Sequence, residues 1–279
     1  MIPFTKMQGI GNDYIYINCL DREIADPPSL SIRMSDRHYG IGSDGLILIL
    51  PSGKADFRMR MFNSDGSESE MCGNGIRCFS KYVYDRKLID RPGFSVETGG
   101  GIKYIELDVK NGRAVAARVD MGEPRLDRSL IPMNGGPGRI VNEPLVLADG
   151  TRFEITCVSM GNPHTVIYVD DVKSFPVTAY GPQIENHPLF PSRTNVEFVT
   201  VVNRGEVIQR TWERGAGETM ACGTGASAVC VAGVLTGRTD RSVVSHLSGG
   251  DLSLTWDEAS NHLFMSGPAV EVFEGVWPD

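Results

Sequence analysis

Two short stretches of this sequence carry the same chemistry-bearing residues in the same order. Asp65 to Gly75 reads DGSESEMCGNG and Gly215 to Gly225 reads GAGETMACGTG, so Glu68, Cys72, Gly73 and Gly75 fall on Glu218, Cys222, Gly223 and Gly225 without a gap. In both, the Cys-Gly step leads into small and apolar residues at lengths suited to a buried helix, which puts a thiol at a helix start. A helix N-terminus carries partial positive charge and stabilises a thiolate, which makes a usable base. The first amides of the helix lack intrahelical acceptors, so the N–H groups of Gly73, Asn74, Gly223 and Thr224 are candidates to hold a substrate carboxylate. Taking a proton from the carbon beside a carboxylate builds negative charge on that carboxylate, and donors aimed at it stabilise the transition state. Inverting a stereocentre needs proton removal on one face and delivery on the other. A pair of symmetric groups, one thiolate and one thiol, suits that task, and Cys72 and Cys222 are the candidate pair.

The elements that must position this pair follow from the repeat. The two stretches are offset by 150 residues, and the same offset sets Gly11-Asn12 on Gly161-Asn162, Gly45 opposite Asn195, Asn63 opposite Glu213 and Ser64 opposite Arg214. A duplicated unit of roughly 110 to 150 residues matches ordinary domain size, and two copies facing one another place equivalent loops around a shared cleft. The halves are expected at 1–119 plus 267–279 and at 120–266, with the chain end returning to complete the first half. The Pro- and Gly-rich segment from Met121 to Pro144 is read as containing the linker between them. Apolar or alternating runs predict strands at Tyr14–Asn18, Leu46–Leu50, Phe57–Phe62, Ile102–Val109, Ala114–Val119, Thr165–Val169, Val196–Val202, Val207–Trp212 and Leu263–Met265. One clear helix per copy is expected, from Gly75 to Arg86 and from Gly225 to Leu235.

Bulk properties narrow the function classes. The 279 residues are 41% hydrophobic, which suffices for a sizeable core. A formal charge of −8 argues against a nucleic-acid partner, because phosphate backbones are held by Lys and Arg. No apolar run approaches the roughly 18 residues of a membrane span and no export signal opens the chain, so a cytoplasmic protein with reduced thiols is expected. The six cysteines lack the close pairing of structural zinc ligands, and no metal is expected. Cys19, Cys78, Cys157 and Cys230 read as small core residues.

Several stretches together closely resemble the diaminopimelate epimerase family. They are Asn63 to Arg77 (NSDGSESEMCGNGIR), Glu213 to Gly225 (ERGAGETMACGTG), Lys6 to Tyr14 (KMQGIGNDY), Gly40 to Leu46 (GIGSDGL), Met121 to Pro124, Ser159 to His164 (SMGNPH) and Arg193-Thr194-Asn195. The resemblance implies interconversion of LL- and meso-2,6-diaminopimelate, without pyridoxal phosphate or metal, on the route to lysine and cell-wall precursors. It implies an α/β (α+β) fold of two pseudo-symmetric domains, each a mainly antiparallel β-barrel-like sheet around a central helix, with the active site in the cleft between them, often as a homodimer. By position it makes Cys72 and Cys222 the acid and base, and Gly73-Asn74 and Gly223-Thr224 the carboxylate site. Asn12, Gly45, Asn63, Asn162, Asn195, Glu213 and Arg214 fall at substrate-binding positions, and His164 with Glu213 is implied to modulate the thiols. Gly45 stands where some members carry a Gln.

Other readings remain open from the residues alone. A proline or hydroxyproline racemase would share the thiol pair, but its cyclic substrate gives Glu213-Arg214 nothing to recognise. A phenazine-type isomerase would lack the pair, and a Cys–His hydrolase would leave one Cys-Gly-x-Gly unused. A silent amino-acid-binding or thiol redox module is the reading from another class. The G-x-G-x-x-A pattern at Gly223–Ala228 is a weak dinucleotide signal, since its counterpart from Gly73 to Cys78 breaks it.

Overall fold

The computed structural model describes residues 1–278. In chain order its elements are β1 (Ile2–Gly9), β2 (Asn12–Asn18), α1 (Pro27–Ser35), β3 (Gly45–Leu50), β4 (Phe57–Asn63), β5 (Glu68–Ser69), α2 (Gly73–Asp85), β6 (Gly93–Thr98), β7 (Gly101–Lys110) and β8 (Arg113–Gly122). There follow β9 (Glu143–Val146), β10 (Arg152–Ser159), β11 (Pro163–Tyr168), α3 (Val177–Glu185), β12 (Asn195–Asn203), β13 (Glu206–Glu213), β14 (Gly217–Thr219), α4 (Gly223–Leu235), β15 (Ser242–Leu247), β16 (Gly250–Trp256), β17 (Leu263–Pro268) and β18 (Val270–Trp277). The fold is mixed α/β and rich in strand, and the chain divides into two compact units: Met1–Asp120 with the segment from Ser266 onward, and Met121–Met265.

In the first unit β1 and β2 form an antiparallel pair, β2 runs parallel to β3, and β3 is antiparallel to β4. Beyond β4 lies parallel β6, then antiparallel β7 and β8. Strand β3 is the unbroken apolar run GLILIL and is buried along most of its length. It is packed by both α1 and α2, so neither face meets water and no polar alternation is needed. The last strand, β18, lies antiparallel along β1.

The second unit repeats this order. Antiparallel β10 and β11, parallel β11 and β12, antiparallel β12 and β13, parallel β13 and β15, and antiparallel β15 and β16 follow one another as in the first. Strand β9 lies antiparallel on β10, the place β18 takes on β1. Helix α4 is apolar nearly all round, as a helix surrounded by protein must be, and packs on β10, β11, β12, β15 and β16.

The structure adds a second helix per copy to the one read from sequence. α1 and α3 begin and end 150 residues apart, as α2 and α4 do. α1 opens on Pro27-Pro28 behind an Asp26 cap, and α3 contains Pro182. Two prolines and short length hide such helices from a periodicity reading, whereas tertiary packing stabilises them. The Met121–Pro144 segment is no bare linker either: Ile131, Met133 and Ile140 are buried in the core of the second unit, and Arg128 grips Glu143 with bonds of 2.8 and 2.6 Å.

Candidate active site

In each unit the cysteine of the repeated stretch is the N-cap residue of the buried helix. Cys72 has extended backbone angles (φ −134°, ψ 119°) and its Sγ accepts the Gly75 amide at 3.3 Å. Cys222 does the same (φ −121°, ψ 109°), with Sγ accepting from Gly225 at 3.3 Å. Sulfur here takes the place of the Ser or Asp oxygen that ordinarily caps a helix. A Cβ three residues on would meet different neighbours in the two units: at Gly75 it would lie 2.7 Å from Ile47 Cδ1, the end of a flexible side chain, and at Gly225 it would lie 2.6 Å from Glu197 Oε1, a buried carboxylate.

Around Cys72 the first unit gathers Asn12, Gly73 and Asn74. The Asn12 Oδ1 lies 3.5 Å from Cys72 Sγ and 3.3 Å from Asn74 Nδ2. Its Nδ2 donates to Asp44 Oδ2 at 2.6 Å, and since a carboxylate only accepts, this bond fixes which end of the amide faces the thiol. Asp44 is held in turn by Arg37, which also pairs with Asp13, itself bonded to Lys6 at 2.8 Å. Burial works against ionising Asp13, but the bonds from Arg37 and Lys6 outweigh it and hold its carboxyl below the usual range. Burial, and then the Cys72 charge, push the Tyr14 phenol well above its ordinary value, so it remains a protonated donor beside the sulfur. Asn63 donates to Ser67 Oγ at 2.9 Å, and Gly45 pairs with Asn63 across β3 and β4. A Cβ at Gly45 would come within 2.1 Å of the Phe62 carbonyl, so no side chain fits there without backbone movement.

Around Cys222 the second unit gathers Asn162, His164, Thr224 and two carboxylates. Thr224 Oγ1 lies 3.5 Å from the sulfur and accepts from Asn162 Nδ2 at 3.3 Å. Asn162 Oδ1 meets His164 Nε2 at 3.1 Å, and His164 Nδ1 meets Glu197 Oε1 at 2.8 Å. Burial first, then the charges of Glu213 and Glu197, push the Cys222 thiol well above its ordinary value. The helix-start expectation of a ready thiolate is thus outweighed at Cys222 in the resting protein. Glu213 accepts from Thr219 Oγ1 at 2.5 Å. The amide of buried Asn195 is engaged at both ends, accepting from the Arg214 N–H at 2.9 Å and donating to the Pro163 carbonyl at 2.8 Å. It thereby anchors the loop from which Arg214 projects.

The other four cysteines are buried free thiols. Burial raises Cys19 and Cys78 to about 11 and Cys157 and Cys230 to about 12, as inert core thiols require. Sequence reasoning missed Tyr14, Asp44, Glu185 and Glu197. Glu185 sits at the end of α3, accepting from Trp212 Nε1 at 2.7 Å, Gly215 N at 2.9 Å and Arg193 at 3.0 Å, so it braces the Glu213–Gly215 loop. A signal existed for Glu197: it is a lone charge within the apolar run Val196–Val199.

Comparison with known proteins follows the same lines. A family model described as diaminopimelate epimerase matches residues 4–126 and 156–272. A diaminopimelate epimerase of Acetivibrio thermocellus is 56% identical over 98% of this chain and 97% of its own length. One from Methanococcus maripaludis is 53% identical over 98% of this chain and 99% of its own. Among solved structures, a phenazine biosynthesis protein of the PhzF family from Bacillus anthracis superposes with a TM-score of 0.73 at 16% identity, covering 100% of this chain and 99% of that one. A hydroxyproline epimerase from Agrobacterium vitis superposes with a TM-score of 0.68 at 14% identity, covering 98% and 90%. These last two likenesses concern the fold alone.

Proposed function

The chain belongs to the diaminopimelate epimerase family, and we propose that it carries out that reaction by passing a Cα proton between Cys72 and Cys222. The enzyme is an isomerase that interconverts LL- and meso-2,6-diaminopimelate in lysine biosynthesis. One cysteine, as thiolate, takes the proton from one face of the carbon while the other, as thiol, delivers a proton to the opposite face. The roles exchange with the direction of reaction. The first-turn amides of α2 and α4 (Gly73, Asn74, Gly223 and Thr224) hold the carboxylate whose charge grows as the proton leaves. That stabilisation makes a cofactor electron sink unnecessary.

The observation that carries this reading is the equivalent placement of two thiols, each capping a buried helix with its Sγ 3.3 Å from the amide three residues on. Glu213, whose charge bears on Cys222, is assigned to the ammonium group at the reacting centre. Arg214, exposed and tethered to the Ser192 carbonyl at 2.9 Å, is assigned to the distal carboxylate. Asn12, Asn63 and Asn162 complete the polar surface, while Gly45 and Asn195 shape it from behind. A substrate lacking the second zwitterion leaves Arg214 and the amide side chains that face the distal end unpaired and reacts poorly.

We further propose a homodimer working in the cytoplasm. The exposed Val270, Val272, Phe273 and Val276 of β18 support the first point as an apolar strip seeking cover. Among the described residues no helix is long and apolar enough to cross a membrane. The test of function is proton NMR of LL-diaminopimelate in D₂O with the protein stripped by chelation. Deuterium entering one α-position while the meso isomer accumulates is the expected result. Reduced, folded protein that produces neither exchange nor isomer refutes the proposal.

A further inference from the structure

The two half-sites are built on one template but differ at the positions that back each thiol. Tyr14 occupies in the first unit the repeat position that His164 occupies in the second, and Ile47 likewise matches Glu197. The equivalence is structural as well: Ile47 packs against Gly75 where Glu197 packs against Gly225. A buried carboxylate has therefore been placed on one side only of an otherwise repeated arrangement.

Glu197 and His164 are both fully buried. The carboxylate bonds to His164 Nδ1 at 2.8 Å, while its other oxygen, Oε2, makes no hydrogen bond. The second ring nitrogen, Nε2, faces an acceptor, the Asn162 Oδ1, whose amide nitrogen is committed to Thr224. For both ring contacts to be hydrogen bonds, Nε2 must carry a proton and a second proton must lie between Nδ1 and Glu197. The pair then has no net charge, which is the form in which a carboxylate can be buried at low cost.

Resting on the two-thiol reading above, we propose that Glu197 is a positioning residue for proton transfer at Cys222. It locks His164 as a donor at Nε2, and Asn162 and Thr224 relay that polarity to the sulfur. With Nε2 donating, Asn162 turns its N–H to Thr224 Oγ1, and the Thr224 hydroxyl is left to donate to Sγ. Together with the Gly225 amide this gives the Cys222 sulfur two donors. In the first unit the Asn amide is turned the other way, since Asp44 directs the Asn12 carbonyl toward Cys72, and the hydroxyl donor beside that sulfur is Tyr14. The donors at Cys222 oppose the effect of burial and of the Glu213 and Glu197 charges, the last of which the proton shared with His164 offsets, so a thiolate formed there during turnover is supported. Other titratable groups near this set are Cys157 on β10, which feels Glu197, and Glu213 at the end of β13.

The test uses protein labelled with ¹⁵N at histidine, with His164 assigned by the signal lost in His164→Gln. In the resting wild type Nε2 is expected to carry a proton. A bare Nε2 overturns the proposal. In Glu197→Gln the side chain carries no charge to hold the second ring proton, so one of the two ring nitrogens should become bare, and kcat should fall about 10- to 100-fold with little change in KM. A Glu197→Gln protein with a wild-type His164 spectrum and kcat within a factor of two also overturns it. The wild-type spectrum needs no substrate. Failure of wild-type protein to epimerise diaminopimelate would remove the functional reading while leaving the Nε2 measurement intact.

Discussion

Gly75→Ala and Gly225→Ala add the same methyl at the same point of two equivalent helices, yet they should not cost the same. At Gly75 the new Cβ meets Ile47 Cδ1 at 2.7 Å and Cys72 Sγ at 3.5 Å. The first is the end of a flexible side chain that can rotate away, and alanine regains up to ~1 kcal/mol of helix propensity, so the net change should be close to zero. At Gly225 the Cβ meets Glu197 Oε1 at 2.6 Å, Glu197 Cδ at 3.2 Å and Cys222 Sγ at 3.2 Å. Here the neighbour is a buried carboxylate tied to His164, and moving it sacrifices a charge-assisted bond of about 1.5–3 kcal/mol on top of about 1–3 kcal/mol of overpacking. After the propensity gain, a loss of about 2–5 kcal/mol is expected. Urea unfolding followed by tryptophan emission measures it, with Trp212 and Trp256 reporting on the second unit. Equal destabilisation of the two variants, or a larger loss for Gly75→Ala, refutes the claim that Glu197 is held rigidly against α4.

Cys72→Ala and Cys222→Ala should each lower epimerisation by about 10²- to 10⁴-fold in the D₂O assay, and a near-normal rate in either rules out the two-base scheme. Asp44→Ala should free the Asn12 amide and raise KM several-fold at unchanged thermal stability, because Asp44 is partly exposed; an unchanged KM argues against its orienting role. Glu185→Ala should destabilise the protein by about 1.5–3 kcal/mol and raise KM by loosening the Glu213–Gly215 loop, which unfolding and steady-state kinetics together check. Stability should also fall as pH rises above 9. Burial lifts Cys157 from 9.0 to about 12, so its contribution is complete below pH 9 and is lost on the way to 12. Between pH 8 and 10 this amounts to about 1 kcal/mol, and Cys157→Ala should flatten that slope in urea titrations.

The sequence by itself carried the duplication. The constant offset between DGSESEMCGNG and GAGETMACGTG foretold equivalent helices, and α2 and α4 indeed start one residue after their cysteines. The same offset applied to Pro27–Ser35 would have exposed α3, which propensity alone conceals behind prolines. The alternating and apolar runs foretold nine of the strands, but β1, β5, β6, β9, β10, β14, β15, β16 and β18 were passed over, because they are very short or interrupted by charged, polar or Gly residues.

What surrounds each thiol was decided only by tertiary structure. His164 meets Glu197 because β11 and β12 run parallel in the register that sets His164 against Asn195, and the helix and loops between those strands leave no local trace of that register. In the first unit the same register sets Tyr14 against Gly45 and leaves Ile47 behind the thiol. Sequence spacing reports what is near along the chain, whereas the protonation and hydrogen-bond polarity of a buried group depend on what is near in space. The difference between a thiol backed by isoleucine and one backed by a carboxylate is a property of strand pairing.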